Sequence, residues 1–336
     1  LKSTTIVLNQ QPLSDIPSEY TKSSSDNTPE VSIVVPLLNE EESLRELTHQ
    51  ISQALEPRFT YEVIFVDDGS TDLSWKVIQE MSSADPRIKG IRFRRNYGKS
   101  TALQKGFEIA RGHYVSTMDA DLQDDPREVP LMIDQLNREE LDLVSGWKKV
   151  RHDPISKTIP SRFFNKVTSL ISGIPIHDFN CGLKVYRREV VESLIIYGEM
   201  HRYIPVLAKW EGFGRVGEKV VQHHARKYGK TKFGLSRFLN GFLDLITLLF
   251  IHVYFQRPMH FFGSVGVGFL TAGTAITGYL VIMRIFFEQY LSNRPLLLFG
   301  ILLLVLGLQF FSVGFLGEMM NKARARERNV NIREMI

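Results

Sequence analysis

Asp119 and Asp121 stand one small residue apart at the end of a short apolar run, inside the stretch from His113 to Pro126 that reads HYVSTMDADLQDDP. Strand side chains alternate faces, so residues two apart point the same way, and both carboxylates can converge on one point beyond the strand's carboxyl end. Ligands collect at that end in open α/β sheets, and a hard divalent cation such as Mg²⁺ takes one or two carboxylates there together with substrate phosphates. The chemistry implied is a metal-bridged nucleotide diphosphate. The alternative is that Asp121, Asp124 and Asp125 merely cap a helix that Pro126 starts.

The elements that would position these carboxylates are legible on both sides. A β-branched run, Val31 to Val35, is closed by Pro36 and followed by a helical pattern from Glu40 to Leu55 with Leu44, Leu47, Ile51 and Leu55 on one face. Tyr61 to Val66 predicts a second strand, ending in Asp67-Asp68-Gly69-Ser70-Thr71-Asp72, which supplies a turn glycine and a cap for a helix over Asp72 to Met81. The unit repeats with a strand at Ile88 to Phe93, a helix at Lys99 to Arg111 and a strand at Tyr114 to Met118, and Leu141 to Gly146 is a fifth strand. Strands alternating with helices give an α/β fold with a mostly parallel sheet covered on both faces.

After Gly146 the pattern changes. From Ser161 to Ser172, Phe163, Phe164, Val167, Leu170 and Ile171 share one helical face, while Arg162, Asn165, Lys166 and Ser169 share the other. This is either an ordinary surface helix or one lying in a lipid interface. Leu235 to Phe255 is also amphipathic, with Arg237, Asn240, Asp244 and Thr247 as a polar stripe; Asp244 and His252 are too close together for a span between them. Phe261 to Met283 and Leu296 to Gly317 carry no charge, and at about 1.5 Å per residue each is roughly 33 to 35 Å long, enough to cross a bilayer. They predict a transmembrane hairpin, with Gly300, Gly307 and Gly314 at heptad spacing for close helix packing and for a homo-oligomer through these helices. Arg257 before the first span and Lys322, Arg324, Arg326 and Arg328 after the second place both flanks in the cytosol and the loop from Glu288 to Arg294 outside.

The organisation expected is therefore a disordered segment 1–30, a globular domain 31–232 that includes the helix 161–172, an interfacial helix 233–256, the hairpin 257–320 and a basic tail 321–336. The net charge of +4 comes from basic residues gathered beside apolar stretches, which suits an anionic membrane surface or a phosphorylated lipid and not nucleic acid. The lone Cys181 excludes an internal disulfide and fits a reducing compartment. The polar amino end shows no cleavable signal.

Four motifs occur in order on consecutive strand ends: Val-Pro-Leu-Leu-Asn-Glu-Glu-Glu (35–42), Val-Asp-Asp-Gly-Ser-Thr-Asp (66–72), Asn-Tyr-Gly-Lys (96–99) and Asp-Ala-Asp-Leu-Gln (119–123). Together they resemble the family 2 glycosyltransferases, and more closely the group that acts on polyisoprenyl phosphates. The resemblance runs from about Val31 to the carboxyl end. It implies the GT-A fold, a nucleotide-sugar-binding sheet whose second half binds the acceptor. Pro36, Asn39, Glu40 and Asp68 would then hold the uracil and ribose, with Asn96 and Lys99 nearby, while Asp67 is as readily a turn-stabilising carboxylate as a ligand contact. Asp119, Asp121 and Gln123 would surround Mg²⁺ or Mn²⁺, offsetting charge on the departing diphosphate.

On the acceptor side, the segment from Asp178 to Lys184 resembles the family stretch that faces the sugar, and Arg226 to Lys232 its basic loop near the membrane. Arg162 and Arg226 are expected to grip the lipid phosphate, since a guanidinium matches its oxygens in a fork. Lys148 and Arg151 are weaker candidates, with solvated charge as the alternative, and the adjacent His223 and His224 make a poor metal pair. A phosphate monoester has its second pKa near 6 and is mostly a dianion at neutral pH, so the acceptor needs no general base, and Asp178 would orient the sugar or acceptor. The expected reaction is inverting transfer of a hexose, glucose from UDP-glucose, to a polyisoprenyl phosphate on the cytosolic face of a bacterial inner membrane. A processive polysaccharide synthase is the rival, but the Gln-x-x-Arg-Trp segment that those synthases share is absent and two spans are few for an export channel; an inactive scaffold with the same fold is the other.

Overall fold

The computed structural model describes residues 28–149, 165–170, 172–224, 227, 258–287 and 295–325. The amino-terminal segment 1–27, Arg162, Arg226, Arg151, the predicted helix Leu235 to Phe255 and the loop Glu288 to Arg294 lie outside them.

The first half alternates as its apolar spacing dictates: β1 (Val31–Leu37), α1 (Leu44–Leu55), β2 (Tyr61–Asp67), α2 (Ser74–Ala84), β3 (Ile88–Arg92), α3 (Lys99–Ile109), β4 (Tyr114–Thr117), α4 (Glu128–Arg138) and β5 (Leu143–Trp147). Strands β1 and β2 are buried along their whole length, which is why they read as mostly apolar runs. The second half adds β6 (Lys184–Arg187), α5 (Arg188–Ser193), a 3-10 turn (Met200–Tyr203), α6 (Ile204–Trp210) and β7 (Val216–Val220). The seven strands form one sheet in the order β3-β2-β1-β4-β6-β5-β7. Strand β6 is antiparallel to both neighbours, β4 and β5, and every other pairing is parallel.

One face of the sheet buries Ile33, Val35 and Phe65 against Leu47 and Ile51 of α1, Ile78 of α2 and Met132 of α4. The other buries Val34, Ile64 and Tyr186 against Leu103 and Phe107 of α3, Val190 of α5 and Ile204 of α6. The sheet is thus a middle layer between two helical layers. Pro36 fits inside the central strand β1 for a local reason. Val34 shares its side of the strand and bonds through its carbonyl to Met118, but the β1–β4 ladder ends at the Val34–Thr117 pair, so no partner needs the N–H that proline lacks.

Within the predicted helix 161–172, residues 165–170 and 172 are helical. Asn165, Thr168 and Ser172 are buried, whereas Leu170 is 83% exposed. Three polar side chains of this helix thus face the protein, while its outward positions include Leu170. Lys166 lies outward with Leu170 instead of inward with Asn165.

The carboxyl-terminal helices are α7 (Pro258–Phe287) and α8 (Pro295–Ala325). Over Met259–Phe287 and Pro295–Met320 their mean hydropathies are 1.7 and 2.6, and both are long and apolar enough to cross a membrane. They pack closely through glycine. A Cβ on Gly300, Gly307 or Gly314 would meet Ile276 and Thr277, Leu270, or Phe262 of α7 at 3.1 Å or less.

Candidate active site

The loops after β1 and β2 clasp one another at the carboxyl edge of the sheet. Asn39 adopts φ 57°, a left-handed conformation that asparagine tolerates. Its N–H donates to Ser70 Oγ at 2.9 Å and its Oδ1 accepts the Thr71 N–H at 2.8 Å. The Glu40 N–H donates to Ser74 Oγ at 2.9 Å. Asp67 is buried, accepts the Ser70 N–H at 2.7 Å and lies 3.5 Å from Arg92, which makes it the turn-stabilising carboxylate of the two readings. Asp68 turns the other way. Its two oxygens accept the N–H groups of Tyr97 at 2.7 Å and Gly98 at 2.9 Å, so it braces the loop that carries the exposed Asn96 and leads into Lys99. Burial raises the Asp68 carboxyl in spite of these two bonds. Gly69 (φ 80°) permits the contact, because a Cβ there would lie 2.6 Å from the backbone of Arg95.

Asp119 follows β4 and is the centre of the site. Its side chain is one-third exposed and pairs with Lys99 at the start of α3. Burial alone would raise this carboxyl, but the Lys99 and Lys148 ammoniums outweigh it and hold the group well below the usual carboxylate range. Beneath it runs the segment before β6. A Cβ on Gly182 would lie 2.7 Å from Asp119 Oδ2, so the glycine is what allows the carboxylate to sit there. The capping alternative holds for Asp125 alone, which bonds the turn that Pro126 opens before α4, and not for the other two aspartates. Asp121 instead accepts the Gln123 N–H at 3.2 Å, Asp125 accepts the Arg127 N–H at 3.0 Å, and Asp124 Oδ2 accepts the N–H of Asp119 at 3.3 Å. Leu122, with φ 60°, closes this turn while keeping its side chain buried, a strained backbone of the kind that functional loops hold.

Lys148 is neither solvated nor a surface charge. It is 14% exposed and lies 2.7 Å from the fully buried Asp124. Burial pushes its ammonium down, but Asp124 more than offsets this and it stays charged. It therefore anchors the acidic loop from below. His224 sits on the loop's other flank: its N–H donates to the Gln123 carbonyl at 2.9 Å, and its own carbonyl accepts Gln123 Nε2 at 3.3 Å.

The donor set suits a divalent cation. Asp119 is ionised, Asp121 is two residues on, and anchoring of Gln123 through its Nε2 leaves Oε1 as a further hard oxygen. Among the described residues no three His, Cys, Asp or Glu side chains converge.

A recess opens beside Asp119, lined by Pro36, Lys99, Thr117, Asn180, Gly182, Lys184 and His201 among others. Pro36, Lys99 and Asp119 are thus brought together as expected. Asp178 is not among the lining residues: it is 1% exposed, it accepts the Asn180 N–H, and its own N–H is held by Glu218. The sequence reading reached Lys184 only as the end of the Asp178 to Lys184 segment, and it missed His201. Lys184 is buried on β6, donates to the Cys181 carbonyl and has its pKa lowered by burial. Beyond that resemblance its signal was a lysine inside the apolar run of Leu183 to Tyr186, and His201 gave none.

Comparison with known proteins agrees with this geometry. Residues 32–195 match the family Glycosyl transferase family 2. The chain is 37% identical over 302 residues to dodecaprenyl-phosphate galacturonate synthase of Rhizobium johnstonii, covering 89% of each. It is 35% identical over 306 residues to undecaprenyl-phosphate 4-deoxy-4-formamido-L-arabinose transferase of Pseudomonas aeruginosa, covering 89% of this chain and 88% of that one. Among solved structures, glucosyl-3-phosphoglycerate synthase of Mycobacterium tuberculosis shares the fold. Its complex with phosphoglyceric acid gives a TM-score of 0.52 at 20% identity over 66% of this chain and 79% of that one. Its complex with Mn²⁺ and UDP-glucose gives 0.51 at the same identity, over 66% and 78%. The sheet order, the acidic loop and the extent of the match to both bacterial relatives lead to one assignment: the chain belongs to glycosyl transferase family 2.

Proposed function

We propose that the protein transfers a sugar, with inversion, from a nucleotide diphosphate sugar to a polyisoprenyl phosphate at the cytosolic face of a bacterial inner membrane. The observation that carries this reading is Asp119, kept ionised by lysines and seated on Gly182 where the two halves of the chain meet. Asp119, Asp121 and Gln123 hold Mg²⁺ or Mn²⁺, which when bound offsets the charge that builds on the leaving diphosphate. Pro36, Asn39, Glu40, Asp68 and Asn96 form the nucleotide side, and Lys99 is free to move from Asp119 to a phosphate oxygen once the cation is in place. A lipid acceptor is supported by the relatives named for polyprenyl phosphates, by α7 and α8, and by the outward Leu170. Arg162 and Arg226 grip its phosphate, which attacks as the dianion without a general base. Asp178 acts through the segment it shapes, by fixing Asn180 at the recess.

For the donor we infer a hexose on a uridine diphosphate, with UDP-glucose the first to test. The galacturonate and aminoarabinose in the relatives' names widen the set to be tried. Membranes carrying the protein, incubated with labelled UDP-glucose, UDP-galactose, UDP-glucuronate and UDP-galacturonate, should yield chloroform-soluble label with one of them and none in excess chelator. A water-soluble polymer would indicate a processive synthase, and no transfer from any donor would indicate a scaffold.

A further inference from the structure

The recess beside Asp119 has a wall that the acidic loop does not account for. The 3-10 turn Met200–Tyr203 brings His201 to the same space as Lys99 and Lys184. Its ring is oriented by one residue. Ser100, fully buried in the first turn of α3, accepts the backbone N–H of His201 on its Oγ at 3.0 Å and lies 3.1 Å from ring Nδ1.

A serine hydroxyl has one proton to give. With Oγ already accepting the backbone N–H, that proton has Nδ1 as its one acceptor among the described residues; the opposite tautomer would strand it in a dry site. Nδ1 is therefore the acceptor and the imidazole hydrogen sits on Nε2. Burial, reinforced by the nearby Lys99 and Arg202, pushes this histidine down to about 2, so the ring is neutral. Among the described residues Nε2 has no hydrogen-bond partner. The result is a fixed, uncharged N–H donor on a residue that lines the recess, beside Lys99, which pairs with Asp119, and Lys184, which donates to the Cys181 carbonyl.

We propose that His201 is a sugar-binding residue of the donor site, its Nε2–H donating to an oxygen substituent of the sugar being transferred. A polyanionic diphosphate is matched by ammoniums and a cation, whereas a neutral directional N–H distinguishes the position of a hydroxyl and not its charge. Asn180, Gly182 and Asp119 line the same recess as His201. The assignment rests on the function proposed above.

The test uses the full chain in nanodiscs containing undecaprenyl phosphate, with whichever UDP-sugar the wild type transfers, and calorimetry of UDP with Mn²⁺. His201→Phe keeps the ring's bulk without the N–H, and His201→Gln places an amide N–H near the same point. His201→Phe should leave UDP affinity within about twofold and lower kcat/KM for the sugar donor about tenfold, a loss of about 1.4 kcal/mol. His201→Gln should recover at least about a third of the wild-type value. Wild-type transfer by His201→Phe, a parallel loss of UDP affinity in both variants, or a Gln variant no better than Phe would each overturn the assignment. Wild-type protein that binds UDP but makes no lipid-linked sugar would overturn the proposed function, and the assignment with it.

Discussion

Replacing Lys148 with methionine should cost more stability than any other single change at the surface of the acidic loop. The side chain fits as methionine, but Asp124, which has no exposure, is left as a carboxylate without its ammonium partner 2.7 Å away. Removing one member of a buried pair costs about 3 to 5 kcal/mol. For a domain of this size each kcal/mol shifts the melting temperature by about 2 to 4 °C, so Lys148→Met should melt on the order of 10 °C lower. Asp124→Asn in the same chain should restore most of that loss, because its amide oxygen still accepts the Asp119 N–H while the stranded charge is gone. Thermal unfolding in detergent, followed by tryptophan fluorescence, measures all three variants. An unchanged melting point for Lys148→Met, or a double variant as unstable as the single one, would refute the argument that this pair anchors the loop.

Gly182→Ala should abolish Mn²⁺-dependent UDP binding in calorimetry while preserving the melting point. Its Cβ would come 2.7 Å from Asp119, where ordinary contact begins at 3.4 Å. The carboxylate must then retreat by about 0.7 Å, more than the roughly 0.5 Å that such a site tolerates. Asp121→Asn should nearly eliminate sugar transfer with the fold intact, and full activity of wild-type protein in excess chelator would contradict the metal's role. Cys181 should resist alkylation at pH 8, since burial pushes its thiol up to about 12 and leaves about one part in ten thousand as thiolate. That silence permits a labelling scan in the natural background, in which an impermeant reagent on intact cells should mark Ser292→Cys and spare Asn329→Cys. Arg226→Ala should raise the KM for polyprenyl phosphate roughly ten- to a hundredfold, the loss of a charge-assisted bond, and leave UDP affinity unchanged.

The first five strands were legible because strands covered on both faces must be mostly apolar, and β1 and β2, buried throughout, are broken only by Ser32, Glu62 and Asp67. Strand β6 was hidden by its chemistry. It crosses the sheet's centre yet begins with a buried lysine and ends in an arginine bonded to the Leu141 carbonyl. Strand β7 was hidden by its place at the edge, where Glu218 and Lys219 are tolerated because each strand residue keeps some exposure. Asp119 could be read from its spacing and its strand. Lys148 could not, since no pattern along the chain reveals that Asp124 lies against it. The Ser100–His201 contact spans 101 positions, beyond the reach of any local motif.

The buried polar residues and the exposed Leu170 of the helix around Asn165 bear on how this protein can be handled in water. Usual practice for solubilising a protein exchanges outward leucines for charged residues and fills inward polar positions with aliphatics. Here the first exchange should succeed and the second should fail. Asn165, Thr168 and Ser172 face the folded body and Leu170 does not, so Leu170→Glu loses no packing within the chain. A variant of this kind, cut before Pro258, would be the natural starting material for crystals of the nucleotide complex without detergent.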